Sequence, residues 1–165
     1  EVVPIEYLSG VEYIQLITEL YGTDENDVRQ RLPSAIEFFE LGEVQDRRLG
    51  TYSTGMKKKI VLCSLFLARP EILILDEPFE GLDPHAVRRL QRWIGDMARD
   101  GTTFLVSSHV IPLVEKLANR VIVIDKGRIQ RAGEVTAAGT VIGDETEWPT
   151  MEQLYFSLVH GTEDD

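Results

Sequence analysis

Apolar positions in the first part of the chain recur at helical spacing, whereas those further on gather into short continuous runs. Ser9 and Glu12 form an S-x-x-E capping box with Leu8 and Tyr13 at the staple positions, predicting a helix over 10–21 that stops at Gly22. Thr23-Asp24 can cap a second helix running towards Leu41, with Gly42 as its stop and a break or kink at Pro33. Ser53-Thr54-Gly55 precedes Ile60, Leu62, Cys63, Leu65, Phe66 and Leu67, a helix ending before Pro70. Ile72-Leu73-Ile74-Leu75 reads as a strand buried on both faces. Asp83 as N-cap and Pro84 at the first helical position open a helix that stops at Gly101. Thr103-Phe104-Leu105-Val106 is a second buried strand, and a short helix over 110–118 leads to Val121-Ile122-Val123-Ile124. Lys126-Gly127 turns that strand into Arg128-Ile129-Gln130, a closing hairpin. Residues 134–149, with Gly139, Gly143 and Pro149, are weakly patterned and read as a linker. Thr150 and Gln153 cap a last amphipathic helix carrying Tyr155, Phe156, Leu158 and Val159. Strands alternating with helices after a helical opening predict an α/β fold with buried parallel strands and an N-terminal helical unit.

Composition narrows the class. A hydrophobic fraction of 43% excludes a disordered chain. No run spans a bilayer, and Glu1-Val2-Val3-Pro4 lacks the basic start of a signal peptide, so an intracellular globular protein is expected. One cysteine, Cys63, excludes a disulfide framework, and its place among apolar residues makes it core. The chain starts without an initiator Met, as a fragment would. The net charge of −11 is unevenly spread: 1–50 hold 11 acids and 4 bases, 51–133 hold 9 and 13, and 134–165 hold 8 acids without Lys or Arg. A mildly basic middle between acidic flanks argues against nucleic-acid binding and suits one polyphosphate ligand.

The most specific chemistry is Asp76-Glu77-Pro78 directly after the apolar run 72–75. Ligands of open α/β sheets bind at the C-terminal strand ends. Adjacent residues on a strand point oppositely, so the two carboxylates have different roles. The first can hold Mg²⁺ through water, and the second can orient an attacking water. Glu80-Gly81-Leu82-Asp83-Pro84 follows at once, and Val106-Ser107-Ser108-His109 ends the next apolar run. An imidazole at that edge can hydrogen-bond a γ-phosphate. Upstream, Tyr52-Ser53-Thr54-Gly55-Met56-Lys57-Lys58-Lys59 sets a hydroxyl, a glycine and free N–H groups at a helix start, an anion site in which the lysines add positive potential. An ordinary Ser-capped helix has the same pattern, although a basic first turn opposes the helix dipole. His85 and His160 read as surface residues.

Together these segments resemble the ATPase subunit of ATP-binding-cassette (ABC) transporters, in the family's order of signature motif, Walker B, D-loop and switch histidine. Tyr52-Ser53-Thr54-Gly55-Met56 stands at the Leu-Ser-Gly-Gly-Gln signature, with Thr54 for its first glycine and Met56 for its glutamine. The Tyr-Ser-x-Gly-Met-Lys form resembles the branch of bacterial drug, bacteriocin, sodium and lipid exporters, as does the closing Met151-Glu152-Gln153-Leu154-Tyr155-Phe156. The resemblance implies a partial P-loop NTPase (RecA-like) core. It assigns Asp76 to the Mg²⁺ site, Glu77 and His109 to catalysis, Gly81, Leu82 and Asp83 to the D-loop, and Ser53, Thr54 and Gly55 to the ATP of a second subunit. Glu1 stands at its Q-loop position. No G-x-x-x-x-G-K-[ST] occurs in the chain, so the phosphate loop is expected before Glu1.

By the resemblance, residues 1–69 are the helical subdomain with the signature helix, 70–133 the Walker-B half of the core, and 134–165 a linker and C-terminal helix. ATP and Mg²⁺ are the implied cofactors. A head-to-tail second ATPase subunit and a transmembrane permease are the implied partners, without nucleic acid, at the cytoplasmic face of the cell membrane. An exporter ATPase, seen incomplete, is the leading reading. The alternatives are a non-catalytic split or remnant cassette half that acts by assembling with another chain, and a soluble cassette ATPase of DNA repair or the ribosome. The signature form and the short helical unit argue against the last.

Overall fold

The structure, a computed structural model, describes residues 5–136, 139–143, 147–148 and 150–159. Glu1, Pro149, His160 and the side chains of Leu158 and Val159 lie outside them. The chain divides into two compact units, 1–107 and 108–165.

In the first unit α1 (Gly10–Leu20), α2 (Glu25–Phe38) and α3 (Thr54–Ala68) form the helical part. The capping box closes as expected: Glu12 N–H donates to Ser9 Oγ at 3.3 Å, and Ser9 N–H to Glu12 Oε2 at 2.7 Å. Helix α2 runs through Pro33 without a break. It ends before Gly42, because the left-handed position falls at Glu40 (φ 56°). There Leu41 N–H reaches Ile36 O and Glu40 N–H reaches Glu37 O, a Schellman closure with a glutamate in glycine's usual place. Lys59 and Arg89 pair with that Glu40 carboxylate and offset its backbone strain.

Strand β1 (Ile72–Asp76) pairs in parallel with β2 (Thr103–Ser107), with Asp76 opposite Ser107. Between them α4 (Pro84–Arg99) starts at Asp83, whose Oδ1 accepts from the N–H groups of His85 and Ala86 at 2.9 Å. Five rings link the elements: Phe38, Phe39, Phe66, Trp93 and Phe104, with centroids 5.1–6.3 Å apart. Cys63 is wholly buried and His85 exposed. One expectation is corrected: the strands are not covered on both faces. Leu73 and Leu75 are buried, but Ile72, Ile74 and Leu105 are 65%, 73% and 57% exposed. A continuous apolar run records that both faces are apolar, and only one meets packing among the described residues.

The second unit holds α5 (Ile111–Val114), β3 (Arg120–Asp125), β4 (Arg128–Val135), β5 (Val141–Ile142), β6 (Glu147–Trp148) and α6 (Met151–Val159). The hairpin forms as read. Lys126 and Gly127 both take positive φ, which matches the strands' twist, and β3 pairs with β4 antiparallel. Parallel pairing is thus confined to β1 and β2 among the described residues. Of the ten described residues in the expected linker 134–149, six are in strands: β4 runs to Val135 and pairs with β5, which pairs with β6. Gly133 permits this approach, since a Cβ there would stand 2.7 Å from Val141 Cγ1 and 2.9 Å from Ile142 O. Among the described side chains of α6, Met151 and Leu154 are buried and packed with Val141, while Tyr155 and Phe156 are exposed.

Candidate functional site

The paired carboxylates lie at the C-terminal end of β1. The parallel register of β1 and β2, with Ile72 opposite Thr103, brings Ser107 beside Asp76. The Ser107 hydroxyl donates to Asp76 Oδ1 and accepts the Glu77 N–H at 3.1 Å. Glu77 leaves the strand in a left-handed conformation (φ 42°), and the buried Pro78 and Phe79 anchor the loop that follows. Asp76 is exposed and Glu77 half-buried. An exposed carboxylate beside a hydroxyl is an oxygen-only donor set, which suits Mg²⁺. That ion takes one or two carboxylates and completes its shell with water and substrate phosphate, so Asp76 fits the role of its protein ligand.

Helix α3 starts where the anion-site reading placed it. Ser53 is its N-cap, accepting the Met56 N–H at 3.3 Å, and Ser53 and Thr54 are exposed. Gly55 faces the loop after β1: a Cβ there would lie 3.5 Å from Gly81 O. The segments 53–55 and 81–83, separate motifs in sequence, therefore adjoin in one unit. Gly81 has φ 72°, and Leu82 N–H closes a turn onto Phe79 O at 3.3 Å. The Asp83 carboxyl is held below the usual range, first by the Ala86 N–H and also by the His85 N–H and Lys59.

The three lysines are engaged by the protein itself. Lys57 Nζ pairs with Glu6 at 2.7 Å, and Lys59 Nζ with Glu40 at 3.0 Å and Asp83 at 3.9 Å. Lys58 Nζ donates to the main-chain oxygens of Glu77 at 2.9 Å and Glu80 at 2.8 Å. Their charge serves internal bonds in place of the open positive field that the sequence suggests, which accounts for a basic first turn that the helix dipole disfavours.

Asp76, Glu77, Ser53, Thr54, Gly55, Gly81, Leu82 and Asp83 all belong to the first unit, and His109 to the second. His109 is exposed and follows Ser108, whose hydroxyl accepts the Val110 N–H at 3.1 Å. Sequence reasoning missed Ser107 and Lys58 as residues touching the Glu77 backbone. Ser107 was findable, because two five-residue strands in parallel put it opposite Asp76. Lys58 carried no signal separating it from its neighbours.

A family model described as "AAA domain, putative AbiEii toxin, Type IV TA system" matches residues 12–114. The chain is 33% identical over 156 residues to the "Uncharacterized ABC transporter ATP-binding protein YthP" of Bacillus subtilis, covering 94% of this chain and 65% of that protein. It is 34% identical over 128 residues to the daunorubicin/doxorubicin resistance ATP-binding protein DrrA of Streptomyces peucetius, covering 78% of this chain and 39% of that protein. A solved structure of an ATP-binding subunit of an ABC transporter superimposes with a TM-score of 0.77 at 30% identity, covering 80% of this chain and 55% of that one. The chain thus spans between about two fifths and two thirds of the length of these relatives.

Proposed function

We propose that the chain, which belongs to the AAA-domain family matched over residues 12–114, forms part of the ATP-hydrolysing cassette of an ABC-type exporter, as its likeness to ATP-binding subunits of ABC transporters supports. The carrying observation is the convergence, within one unit, of the Asp76-Glu77 edge, the Gly81–Asp83 loop and the head of α3. In this reading Glu77 orients the attacking water and accepts its proton, while the Ser107 hydroxyl fixes the Asp76 carboxylate. Asp76 would hold Mg²⁺ through water, and the ion would supply positive charge to the β- and γ-phosphates. Ser53 donates its hydroxyl, and Thr54 and Gly55 their helix-start N–H groups, to the γ-phosphate bound by a second subunit. His109 donates a hydrogen bond to the γ-phosphate on its own subunit. Leu82 and Asp83, after the Gly81 turn, would face the second subunit. The chemistry is positioning and charge stabilisation.

The exporter assignment is supported by the Tyr52-Ser53-x-Gly55-Met56 form and by the likeness to a drug-resistance ATP-binding protein. No helix among the described residues is long and apolar enough to cross a membrane. The proposed partner is a transmembrane permease, either a separate chain or a part of the protein outside these residues, with the cassette docked at the membrane's cytoplasmic face. The test is Glu77→Gln in the full-length gene product, which keeps shape and removes the charge. ATP binding is expected to persist and turnover to fall by about 100-fold or more. Hydrolysis near the parental rate would refute Glu77 as the catalytic carboxylate. Full-length parent protein that neither binds nor hydrolyses ATP would favour the non-catalytic cassette half.

A further inference from the structure

We propose that Lys58 is a positioning residue for Glu77, a link through which the head of α3 sets the conformation of the catalytic carboxylate's backbone; this rests on the reading of Glu77 given above. Glu77 is a non-glycine residue at φ 42°, a conformation that the surroundings must hold. Both of its main-chain groups are held by side chains from other elements. Its N–H donates to Ser107 Oγ at 3.1 Å, at the end of β2. Its carbonyl accepts from Lys58 Nζ at 2.9 Å and from the Glu80 N–H at 3.2 Å. The same ammonium donates to Glu80 O at 2.8 Å, so one cation spans both ends of the turn 77–80. Hydrogen bonds from an ammonium are stronger than neutral ones, and here two carbonyls converge on a half-buried side chain.

The helical register gives this clamp its direction. Lys58 stands four residues after Thr54 and three after Gly55, so the three share one face of α3. On that face Gly55 abuts Gly81, at the far end of the same loop. Thus α3 touches the loop at two points, by a backbone contact at Gly81 and by the ammonium at Glu77 and Glu80. A shift of the Ser53–Gly55 end, where a second subunit's phosphate is proposed to bind, must move the loop or break those bonds. The clamp makes Glu77's geometry depend on whether that end is engaged.

The experiment compares Lys58→Met and Lys58→Arg in the full-length protein. The Met variant is expected to lower kcat at least about tenfold with KM for ATP within about twofold, because the interaction acts on geometry and not on ground-state binding. Amide exchange over 77–82 should accelerate by about tenfold in that variant while α1 and α2 keep parental protection. Arg, which can reach the same carbonyls, should return both readouts to within about threefold of the parent. If the Met variant does not fold, Lys58→Gln is measured in its place with the same expectations. An unchanged kcat, a raised KM at constant kcat, or a loss that Arg does not restore would overturn the proposal. Glu77→Gln is run alongside. If it is inactive while Lys58→Met turns over normally, Lys58 alone is refuted; if it is as active as the parent, the reading of Glu77 fails and the Lys58 proposal with it.

Discussion

Ser53 and Gly55 are the residues at which an ordinary helix start and a phosphate-binding start diverge. As an N-cap, Ser53 accepts the Met56 N–H, and its loss as Ser53→Ala should lower stability by about 0.5–2 kcal/mol. Gly55 lies in the first turn without positive φ, and the space for a Cβ beside Gly81 O is ordinary contact. Gly55→Ala should therefore hold stability or raise it, by up to about 1 kcal/mol, through helix propensity. If backbone must approach a phosphate at this point, both substitutions will cut the ATPase rate of the full-length protein far more than they move its melting temperature. Calorimetric melting and a turnover assay on the two variants separate the cases, and unchanged rates would leave Ser53 a helix cap and no more. Cys63 gives a simpler contrast. Burial pushes its thiol up to about 12, so an alkylating reagent at pH 8 should modify it only after denaturant is added. Modification of the native protein would show that α3 opens readily.

At the scale of elements, caps and turns were legible in the sequence because each rests on a local bond. The Ser9–Glu12 box, the Asp83 cap and the Lys126-Gly127 turn all form where their residue types require. Strand β5 was not legible, because two residues pairing across a glycine leave no periodicity to read. Helix α2 overran its predicted break because propensity at Pro33 yielded to its packing through Val28, Ala35 and Ile36. Its true end at Glu40 depends on long-range cations from α3 and α4, which no local pattern announces. That end also makes a pH prediction. Hydrogen bonding from Lys59, with Lys59 and Arg89 charges, lowers the Glu40 carboxyl from its ordinary 4.5, and Ala86 and His85 N–H groups lower Asp83 from 3.8. A carboxylate depressed on folding stabilises the native state fully above its unfolded pKa, and that contribution disappears as pH falls through the folded one. Denaturant midpoints should therefore be flat in this respect above about pH 5 and decline below about pH 4.5. Glu40→Gln should flatten part of that decline, and an identical acid profile would show that the two cations do not stabilise the α2 end.

Across the whole molecule, the chemistry assembled at the strand ends of the first unit is carboxylate and hydroxyl, and the lysines at the head of α3 are committed to internal bonds. Asp76, Glu77 and Ser107 gather at the strand ends, while the lysines of α3 are bonded to Glu6, Glu40, Asp83 and the turn 77–80. A nucleotide's phosphates need the opposite: a nest of N–H donors and a free ammonium, which a glycine-rich phosphate loop supplies. No such motif occurs in the 165 residues. The apolar face formed by Ile72, Ile74 and Leu105 points the same way, because parallel sheets of nucleotide-binding folds are covered on both sides. The sequence made the motifs legible but could not show that their cations were spoken for, since that depends on contacts 19–51 residues apart. The 165-residue chain by itself is therefore expected to bind MgATP with a Kd no tighter than the millimolar range, about −4 kcal/mol. It should also bind a hydrophobic dye, a signal that Ile74→Lys would reduce. Isothermal titration with ATP and Mg²⁺ checks the first point and dye fluorescence the second. Micromolar ATP affinity for this chain would mean that the Asp76-Glu77 edge and the α3 start hold the phosphates without a P-loop, and the division of labour between two subunits proposed above would then have to be abandoned.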